Sequence, residues 1–140
     1  MAKKRILVVD DELNIRRLVQ VNLEAEGYIV EEAVDGIEGL EKIRANPPDL
    51  IVLDIMMPRM DGTETMKEIQ ADPKLQEIPV IFLTAKAQDK DVFIGWQSGC
   101  ACHLTKPFNP RELKIFARRI LEAQERPHID SEDGETVWEV

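Results

Sequence analysis

Short continuous runs of apolar residues recur along the chain, and polar or charged residues follow most of them. The first run, residues 5–9, leads directly into Asp10 and Asp11. An apolar run without polar alternation predicts a strand that is covered on both faces. Five such strands are predicted, at residues 5–9, 28–33, 50–53, 80–83 and, with a weaker pattern, 101–105.

Between these runs the apolar residues recur every three or four positions, which is the spacing of one helix face. The clearest case has apolar residues at i, i+3, i+4, i+7 and i+8, namely Leu113, Phe116, Ala117, Ile120 and Leu121. Five helices are predicted, at residues 13–24, 37–45, 63–70, 90–97 and 111–123. Glycine or proline separates each of the first four from the next strand, as expected at helix ends.

The alternation of strands and helices predicts an α/β fold, with one parallel sheet, right-handed crossovers and helices on both faces of the sheet. The 140 residues suffice for one such domain with an ordinary hydrophobic core and leave no room for a second. The helical periodicity stops near residue 126. We predict one domain over residues 1–126 and an acidic flexible tail or linker stub over residues 127–140.

The net charge of the chain is −9, and five acidic residues of the predicted tail meet no lysine or arginine. This charge argues against binding to nucleic acid or to an anionic membrane surface. No apolar run approaches the ~20 residues of a membrane span, and the N-terminus lacks the apolar segment of a signal peptide. We expect a soluble cytoplasmic protein that contacts neither nucleic acid nor membrane directly.

The two cysteines, Cys100 and Cys102, are interpreted as reduced thiols, as expected in a reducing compartment. They lie too close in sequence for an easy disulfide between paired strands. With His103 they form a Cys-x-Cys-His sequence. A metal or redox site stays open as the alternative, although it would normally need a second ligand cluster, which the sequence does not show.

Residues that can carry chemistry stand directly after the apolar runs. In sheets of this kind ligands bind at the carboxyl ends of the strands, near the point where the strand order reverses. The residues at these ends are Asp10, Asp11 and Glu12 after the first run, Asp54 after the third, Thr84 after the fourth and Lys106 after the fifth. Asp11 can partly act as a helix N-cap before Leu13, but capping explains one acid and not three.

Three convergent carboxylates would raise one another's pKa values unless a cation neutralised them. Mg²⁺ suits such a site, because it prefers oxygen ligands and is typically held by one or two carboxylates together with a phosphate. Lys106 adds a positive charge and Thr84 a hydroxyl donor, both suited to phosphoryl oxygens. Asp54 is the best candidate nucleophile, because it stands singly on its strand while Asp10 and Asp11 are paired for the metal. Together these residues predict phosphoryl transfer to an aspartate.

The chain closely resembles the response-regulator receiver domains of two-component signalling, from about Arg5 to Glu122. Four motifs in order and at compatible spacing carry the resemblance: Ile-Leu-Val-Val-Asp10-Asp11-Glu12, Leu50-Ile-Val-Leu-Asp54-Ile-Met-Met-Pro58-Arg-Met-Asp61-Gly62, Pro79-Val-Ile-Phe-Leu-Thr84-Ala85 and Leu104-Thr-Lys106-Pro107-Phe108. The resemblance implies a flavodoxin-like (βα)5 domain with the strand order 2-1-3-4-5.

The resemblance also implies a donor and a metal for Asp54. Asp54 would accept a phosphoryl group from a histidine kinase, a histidine phosphotransfer protein or a small donor such as acetyl phosphate. Asp11, Asp54 and the main-chain carbonyl of Met56 would bind Mg²⁺ directly, and Asp10 would hold a metal-bound water.

By the same resemblance, Thr84 and Lys106 would contact the phosphoryl oxygens, the Lys106–Pro107 peptide would be cis, and Gly62 would start the third helix. Phosphorylation would switch contacts with a downstream protein target or a second copy of the chain. The protein would be a signalling switch and not an enzyme, with only autocatalytic phosphoryl transfer and autodephosphorylation.

The sequence departs from the family three positions before Lys106, where an aromatic residue is usual and His103 stands instead. A histidine can also change rotamer, so Thr84 and His103 form the predicted switch pair, with an output that depends on pH. The alternative is a surface or half-buried histidine without such a role.

Other functions compete with this interpretation. A phosphatase with an aspartyl-phosphate intermediate usually has a second aspartate two residues after the nucleophile, where this chain has Met56. A flavin-binding electron carrier would need phosphate-binding donors after the first strand, where this chain has acidic residues. A receiver-like interaction module that acts without phosphorylation stays open. Open too is whether the chain is a stand-alone receiver or part of a longer regulator.

Overall fold

Five parallel strands form the central sheet of the protein. The computed structural model describes residues 3–84 and 102–125. Its strands are β1 Arg5–Val9, β2 Ile29–Ala33, β3 Leu50–Asp54, β4 Val80–Thr84 and β5 Cys102–Thr105. They pair in the order β2-β1-β3-β4-β5, and every pairing is parallel. The predicted α/β class, strand order and parallel pairing are confirmed.

Four helices accompany the strands in the part of the chain that the structure describes. They are α1 Leu13–Glu24, α2 Gly36–Ala45, α3 Gly62–Ala71 and α4 Pro110–Glu125, each within two residues of its predicted bounds. None of the described helices is long and apolar enough to cross a membrane. The predicted helix at residues 90–97, residue 101 of the fifth predicted strand, Cys100 and the predicted tail at 127–140 lie outside the described residues.

The helix starts show which polar side chains act as caps. Asp35 accepts a hydrogen bond from Glu38 N–H at the start of α2, and Asp61 forms a reciprocal capping box with Glu64 at the start of α3. At the start of α1 the N-cap residue is Glu12, and its side chain makes no cap hydrogen bond. The expectation that Asp11 caps this helix was therefore wrong, which leaves Asp11 available for other contacts.

Alternate strand residues point to opposite sides of the sheet, and a core cluster covers each side. On one face Ile6 of β1 lies in a core cluster with Leu23 of α1 and Leu113 of α4. On the other face Leu7 lies in a second cluster with Ile43 of α2. Because neither face of the central strands β1, β3 and β4 meets water, these strands carry continuous apolar runs, whereas the edge strands β2 and β5 include exposed residues.

The strand order reverses at β1, which lies between β2 and β3. Val9 pairs with Leu53, so the next residues along these strands, Asp10 and Asp54, come side by side at the carboxyl end of the sheet. Connections that leave β1 and β3 toward opposite edges open a crevice at this end. The backbone topology thus gathers the chemically competent residues before any side chain is considered.

Candidate functional site

Three aspartates converge at the carboxyl ends of β1 and β3. One carboxylate oxygen from each of Asp10, Asp11 and Asp54 lies within 4.8 Å of the other two. Asp10 and Asp54 are buried, with 0 % and 2 % of their surface exposed, whereas Asp11 is exposed. Asp10 N–H donates to Ala33 O over 3.1 Å, and Glu12 N–H donates to Asp10 Oδ1 over 2.8 Å. The structure thus brings together the three acids that the sequence singled out.

Lys106 supplies the positive charge of the cluster. Its Nζ lies 2.9 Å from Asp10 Oδ2, 3.3 Å from Asp54 Oδ2 and 3.4 Å from Glu12 Oε1. Its N–H donates to Thr84 O over 2.6 Å, and the peptide bond from Lys106 to the following proline is cis, as the resemblance implied. One ammonium group therefore bridges the two buried carboxylates from the β5 side.

Burial and mutual repulsion shift the protonation of these groups. Burial first, and then the charge of Asp10, raise the pKa of Asp54 from its ordinary 3.8 to about 7, although Lys106 opposes the rise. Burial also raises the pKa of Asp10. Burial alone would lower the pKa of Lys106, but the surrounding carboxylates outweigh it and the net shift is upward. One ammonium group does not neutralise this set of acids.

The donor set fits a hard divalent cation. Asp10 Oδ2 is buried and accepts no hydrogen bond from the described residues, although the Lys106 ammonium lies close to it. Three carboxylates and one ammonium leave an excess of negative charge that a cation would balance, and carboxylate oxygens are the donors that Mg²⁺ prefers. Met56 N–H donates to Asp54 Oδ1 over 3.3 Å, so the main chain after Asp54 also borders the cluster.

Thr84 stands at the same end of the sheet, but its hydroxyl points elsewhere. Leu83 of β4 pairs with Asp54, so Thr84 lies one position beyond. The Thr84 side chain is fully buried, and its Oγ1 lies 3.5 Å from Leu104 O and 3.4 Å from Thr105 Oγ1. The hydroxyl is thus bonded to β5, and contact with a group on Asp54 would require it to turn.

Comparison with known proteins identifies the family. A family model described as the response regulator receiver domain matches residues 6–118. The chain belongs to this family. Response regulators are components of two-component signalling systems, so the family assignment favours a receiver over the phosphatase and the flavin carrier.

The receiver domain is similar to bacterial transcriptional regulators. It is 44 % identical over 122 residues to the alkaline phosphatase synthesis transcriptional regulatory protein PhoP of Bacillus subtilis, covering 87 % of this chain and 50 % of that protein. It is 42 % identical over 122 residues to the DNA-binding dual master transcriptional regulator RpaA of a Synechocystis strain, covering 87 % of this chain and 51 % of that protein. The chain spans about half the length of the curated relatives it matches.

Solved structures of response regulators share this fold. The receiver domain of the Francisella response regulator 1452 matches with a TM-score of 0.80 and 32 % identity over 88 % of this chain and 100 % of that one. The chemotaxis response regulator CheY4 of Vibrio cholerae matches with a TM-score of 0.78 and 34 % identity over 85 % of this chain and 99 % of that one.

His103 and Cys102 of the receiver lie on the edge strand β5. His103 pairs with Phe82 of β4, and its side chain is half-buried. It does not belong to the cluster of Asp10, Asp11 and Asp54. Burial raises the pKa of the Cys102 thiol to about 12, so the group stays protonated at neutral pH. A buried, protonated thiol is unreactive, in keeping with the predicted reduced cysteine.

Sequence reasoning missed several side chains that border the site. Arg16 of α1 donates from Nη1 to Asp10 O over 2.8 Å and from Nε to Glu32 Oε1 over 2.9 Å. Asp35, between β2 and α2, pairs with Arg59 from the loop that follows Asp54. The sequence signal was slight, because a single charged residue near a helix start has many uses.

Proposed function

We propose that this receiver is a phosphorylation-controlled switch of a two-component phosphorelay, in which Asp54 accepts the phosphoryl group. The observation that carries the proposal is the position of Asp54: a buried carboxylate at the end of the central strand, with Asp10 beside it and the Lys106 ammonium 3.3 Å from its Oδ2. A nucleophile flanked by a cation and by further metal-ligand candidates has the parts that phosphoryl transfer requires.

In the proposed reaction one carboxylate oxygen of Asp54 forms a bond to phosphorus while the bond between phosphorus and the donor breaks. The donor is the phosphorylated histidine of a kinase or phosphotransfer protein, or a small acyl phosphate, and it leaves with the electron pair. When bound, Mg²⁺ neutralises charge on the carboxylates and on the transferred oxygens. Asp10, Asp11, Asp54 and the Met56 carbonyl would hold the ion.

Lys106 and Thr84 have proposed roles after the transfer. The Lys106 ammonium lies within reach of both buried acids and would exchange one carboxylate partner for a phosphoryl oxygen. The Thr84 hydroxyl would leave its contacts on β5 and donate to the phosphoryl group. His103 would respond as the second switch residue, because it lies on the strand that Thr84 releases.

The partners and output belong to the same proposal. Receiver domains of response regulators interact with histidine kinases, and we infer such a kinase or a histidine phosphotransfer protein as the donor in the cytoplasm. The output would be a contact with a downstream protein target or with a second copy of the chain. The receiver matches about half of each of the curated relatives, which are transcriptional regulators, so any action on DNA would belong to segments beyond the receiver.

The direct test is intact-mass spectrometry of the wild-type protein after incubation with Mg²⁺ and acetyl phosphate. We expect one adduct of about 80 Da, the mass of a phosphoryl group, and peptide mapping should assign it to Asp54. The same incubation with excess EDTA should give no adduct. An interaction module that acts without phosphorylation predicts no adduct in either sample, so that result would favour the alternative function.

A second test concerns the metal ligands. Asp11→Ala should weaken Mg²⁺ binding to the unphosphorylated protein by at least about tenfold, because a carboxylate ligand is lost. Titration calorimetry measures the affinity, and Glu41→Ala, which removes an exposed acid from α2, serves as the matched control. Equal affinities for the wild type and Asp11→Ala would assign the ion to other ligands.

A further inference from the structure

Two loops meet beside the acidic cluster, and an ion pair joins them. One loop lies between β2 and α2 and contains Asp35; the other, residues 55–61, follows Asp54 and contains Met56 and Arg59. Arg59 Nε lies 2.5 Å from Asp35 Oδ2. The Asp35 side chain is only 7 % exposed, so this contact is shielded from water on the carboxylate side.

The two oxygens of Asp35 have separate partners. Oδ1 accepts a hydrogen bond from Glu38 N–H over 2.8 Å and caps α2, whereas Oδ2 meets Arg59. The Glu38 N–H keeps the pKa of Asp35 below its usual value against the effect of burial, and Arg59 adds to the lowering. The carboxylate is therefore charged at neutral pH. Because the cap needs only Oδ1, helix capping does not account for the contact with Arg59.

Arg59 has a backbone conformation that its side chain disfavours. Its φ is 67°, in the left-handed region that glycine adopts readily and other residues rarely. A non-glycine residue holds this conformation only where its surroundings impose it. The ion pair with Asp35 is one such constraint, and it acts on the residue in the middle of the loop.

A main-chain contact next to the ion pair joins the same two loops. Gly36 N–H donates to Met60 O over 3.2 Å. A Cβ on Gly36 would lie 2.8 Å from Met60 O and 2.1 Å from Thr65 Oγ1, so only glycine allows this approach. We call the contacts of Asp35 and Gly36 with Arg59 and Met60 the loop clamp.

The far end of the loop is tied back to its beginning. Gly62 N–H donates to Ile55 O over 2.8 Å, directly after Asp54. Met56 lies between this closure and the loop clamp, and its own N–H contacts Asp54 Oδ1. The path of the main chain at Met56 is consequently determined from two sides, by the closure at Gly62 and by the loop clamp.

We propose that Asp35 and Arg59 are positioning residues: through the loop clamp they hold residues 55–61 in the arrangement that lets the main chain after Asp54 take part in binding the metal. This inference deepens the proposed function and rests on it for the use of the site. It does not require either side chain to touch the ion or the phosphoryl group.

Three variants of the full chain separate the loop clamp from helix capping and backbone strain. Asp35→Asn keeps an oxygen for Glu38 N–H but loses the charge that attracts Arg59. Arg59→Gly removes the ion pair and tolerates the positive φ, so new strain cannot explain its effect. Arg59→Lys keeps a cation that can reach the carboxylate and serves as the conservative rescue.

The first readout is amide hydrogen exchange in the metal-free protein, followed by nuclear magnetic resonance. Arg59→Gly and Asp35→Asn should accelerate exchange at Gly36, whose N–H contacts Met60, and at Gly62, whose N–H closes the loop. The second readout is Mg²⁺ affinity by titration calorimetry. We expect the affinity to weaken by about tenfold in both variants, which is the lower end of the loss seen when a residue that orients a metal ligand is removed. Arg59→Lys should recover most of the affinity.

The double variant and a matched control complete the test. Asp35→Asn combined with Arg59→Gly should bind Mg²⁺ no more weakly than either single variant, because both substitutions break the same contact. Arg44→Gln breaks an exposed ion pair with Glu68 between α2 and α3, over 3.3 Å, and should leave both readouts unchanged.

The outcomes separate this inference from the proposed function. If both single variants keep the amide exchange rates and the Mg²⁺ affinity of the wild type, the positioning role is overturned, even if Asp54 is phosphorylated. Loss of stability in urea with unchanged Mg²⁺ affinity would also overturn it, since the ion pair would then be structural only. Weakened Mg²⁺ binding without any phosphorylation of the wild type would support the positioning role and reject the proposed function. A wild type that binds no Mg²⁺ would overturn both.

Discussion

Asp54→Asn is expected to abolish the phosphoryl adduct completely and at the same time to stabilise the metal-free protein. The adduct is lost because an amide is not a nucleophile for phosphorus at neutral pH. The protein gains stability because Asp54 is buried beside Asp10 and its pKa is raised to about 7, mainly by burial. A carboxylate in this position opposes folding when it is charged.

The size and pH dependence of the gain follow from the pKa. A carboxyl group whose pKa rises from 3.8 to about 7 on folding lowers the free energy of unfolding by up to about 4 kcal/mol when the pH is above both pKa values. Because Asp54 also offsets part of the Lys106 charge, we expect a net gain of about 2 kcal/mol at pH 8. Between the two pKa values the folded wild type binds more protons than the unfolded chain, so its stability falls as pH rises. The advantage of Asp54→Asn should therefore be smaller at pH 5, by roughly half.

Urea unfolding of both proteins at pH 5 and pH 8 in EDTA measures this difference, and intact mass measures the adduct. Glu41→Gln, which neutralises an exposed acid of α2, is the matched control and should change neither result appreciably. If the Asp54→Asn protein still forms the phosphoryl adduct, the acceptor must be another residue. An unchanged free energy of unfolding at pH 8 would contradict the repulsion that we derive from the geometry.

Gly62→Ala is expected to lower the free energy of unfolding by about 3 kcal/mol, the upper part of the range for overpacking. A Cβ on Gly62 would lie 2.3 Å from Asp54 O and 2.7 Å from Ile55 Cα. Both atoms belong to the backbone and cannot rotate away, so the end of β3 or the start of α3 must shift. The same shift would displace Asp54, and phosphorylation should slow as well. Urea unfolding and the rate of adduct formation measure the two effects.

Gly39→Ala provides the matched control for this substitution. Its Cβ would come within 3.1 Å of Val9 Cγ2 and 3.2 Å of Val9 Cγ1, which are side-chain atoms that can yield. Alanine also favours the interior of α2 by about 1 kcal/mol relative to glycine. We expect a net change of about 1 kcal/mol or less. Equal effects at the two glycines would show that the main chain at Gly62 has more freedom than its contacts indicate.

Local sequence determined the elements of this receiver and the residues at their ends. The central strands could be predicted because both of their faces are covered, so their apolar runs are continuous, and Asp54 ends such a run. Asp10 and Lys106 could be selected in the same way, since ligands of such sheets bind at the carboxyl ends of the strands. The motifs around them were specific enough to indicate the family as well.

Only the tertiary structure decided how these residues meet. Lys106 contacts Asp10, Asp54 and Glu12 across large distances in sequence, and no local pattern states which carboxylates one ammonium group will reach. The pKa of Asp54 depends on burial and on Asp10, which are properties of the assembled site.

The Thr84 hydroxyl and the loop clamp illustrate the same limit of local sequence. The sequence predicted a donor for phosphate at Thr84, but the Thr84 hydroxyl bonds to β5. The side-chain rotamer depends on which acceptors the neighbouring strand offers. The pairing of Asp35 with Arg59 joins loops that follow different strands. Apolar periodicity reports what a segment buries, and it therefore predicted the strands, the helices and the acids at the strand ends of this protein. The partners of polar side chains depend on distances between segments, which exist only once the chain has folded.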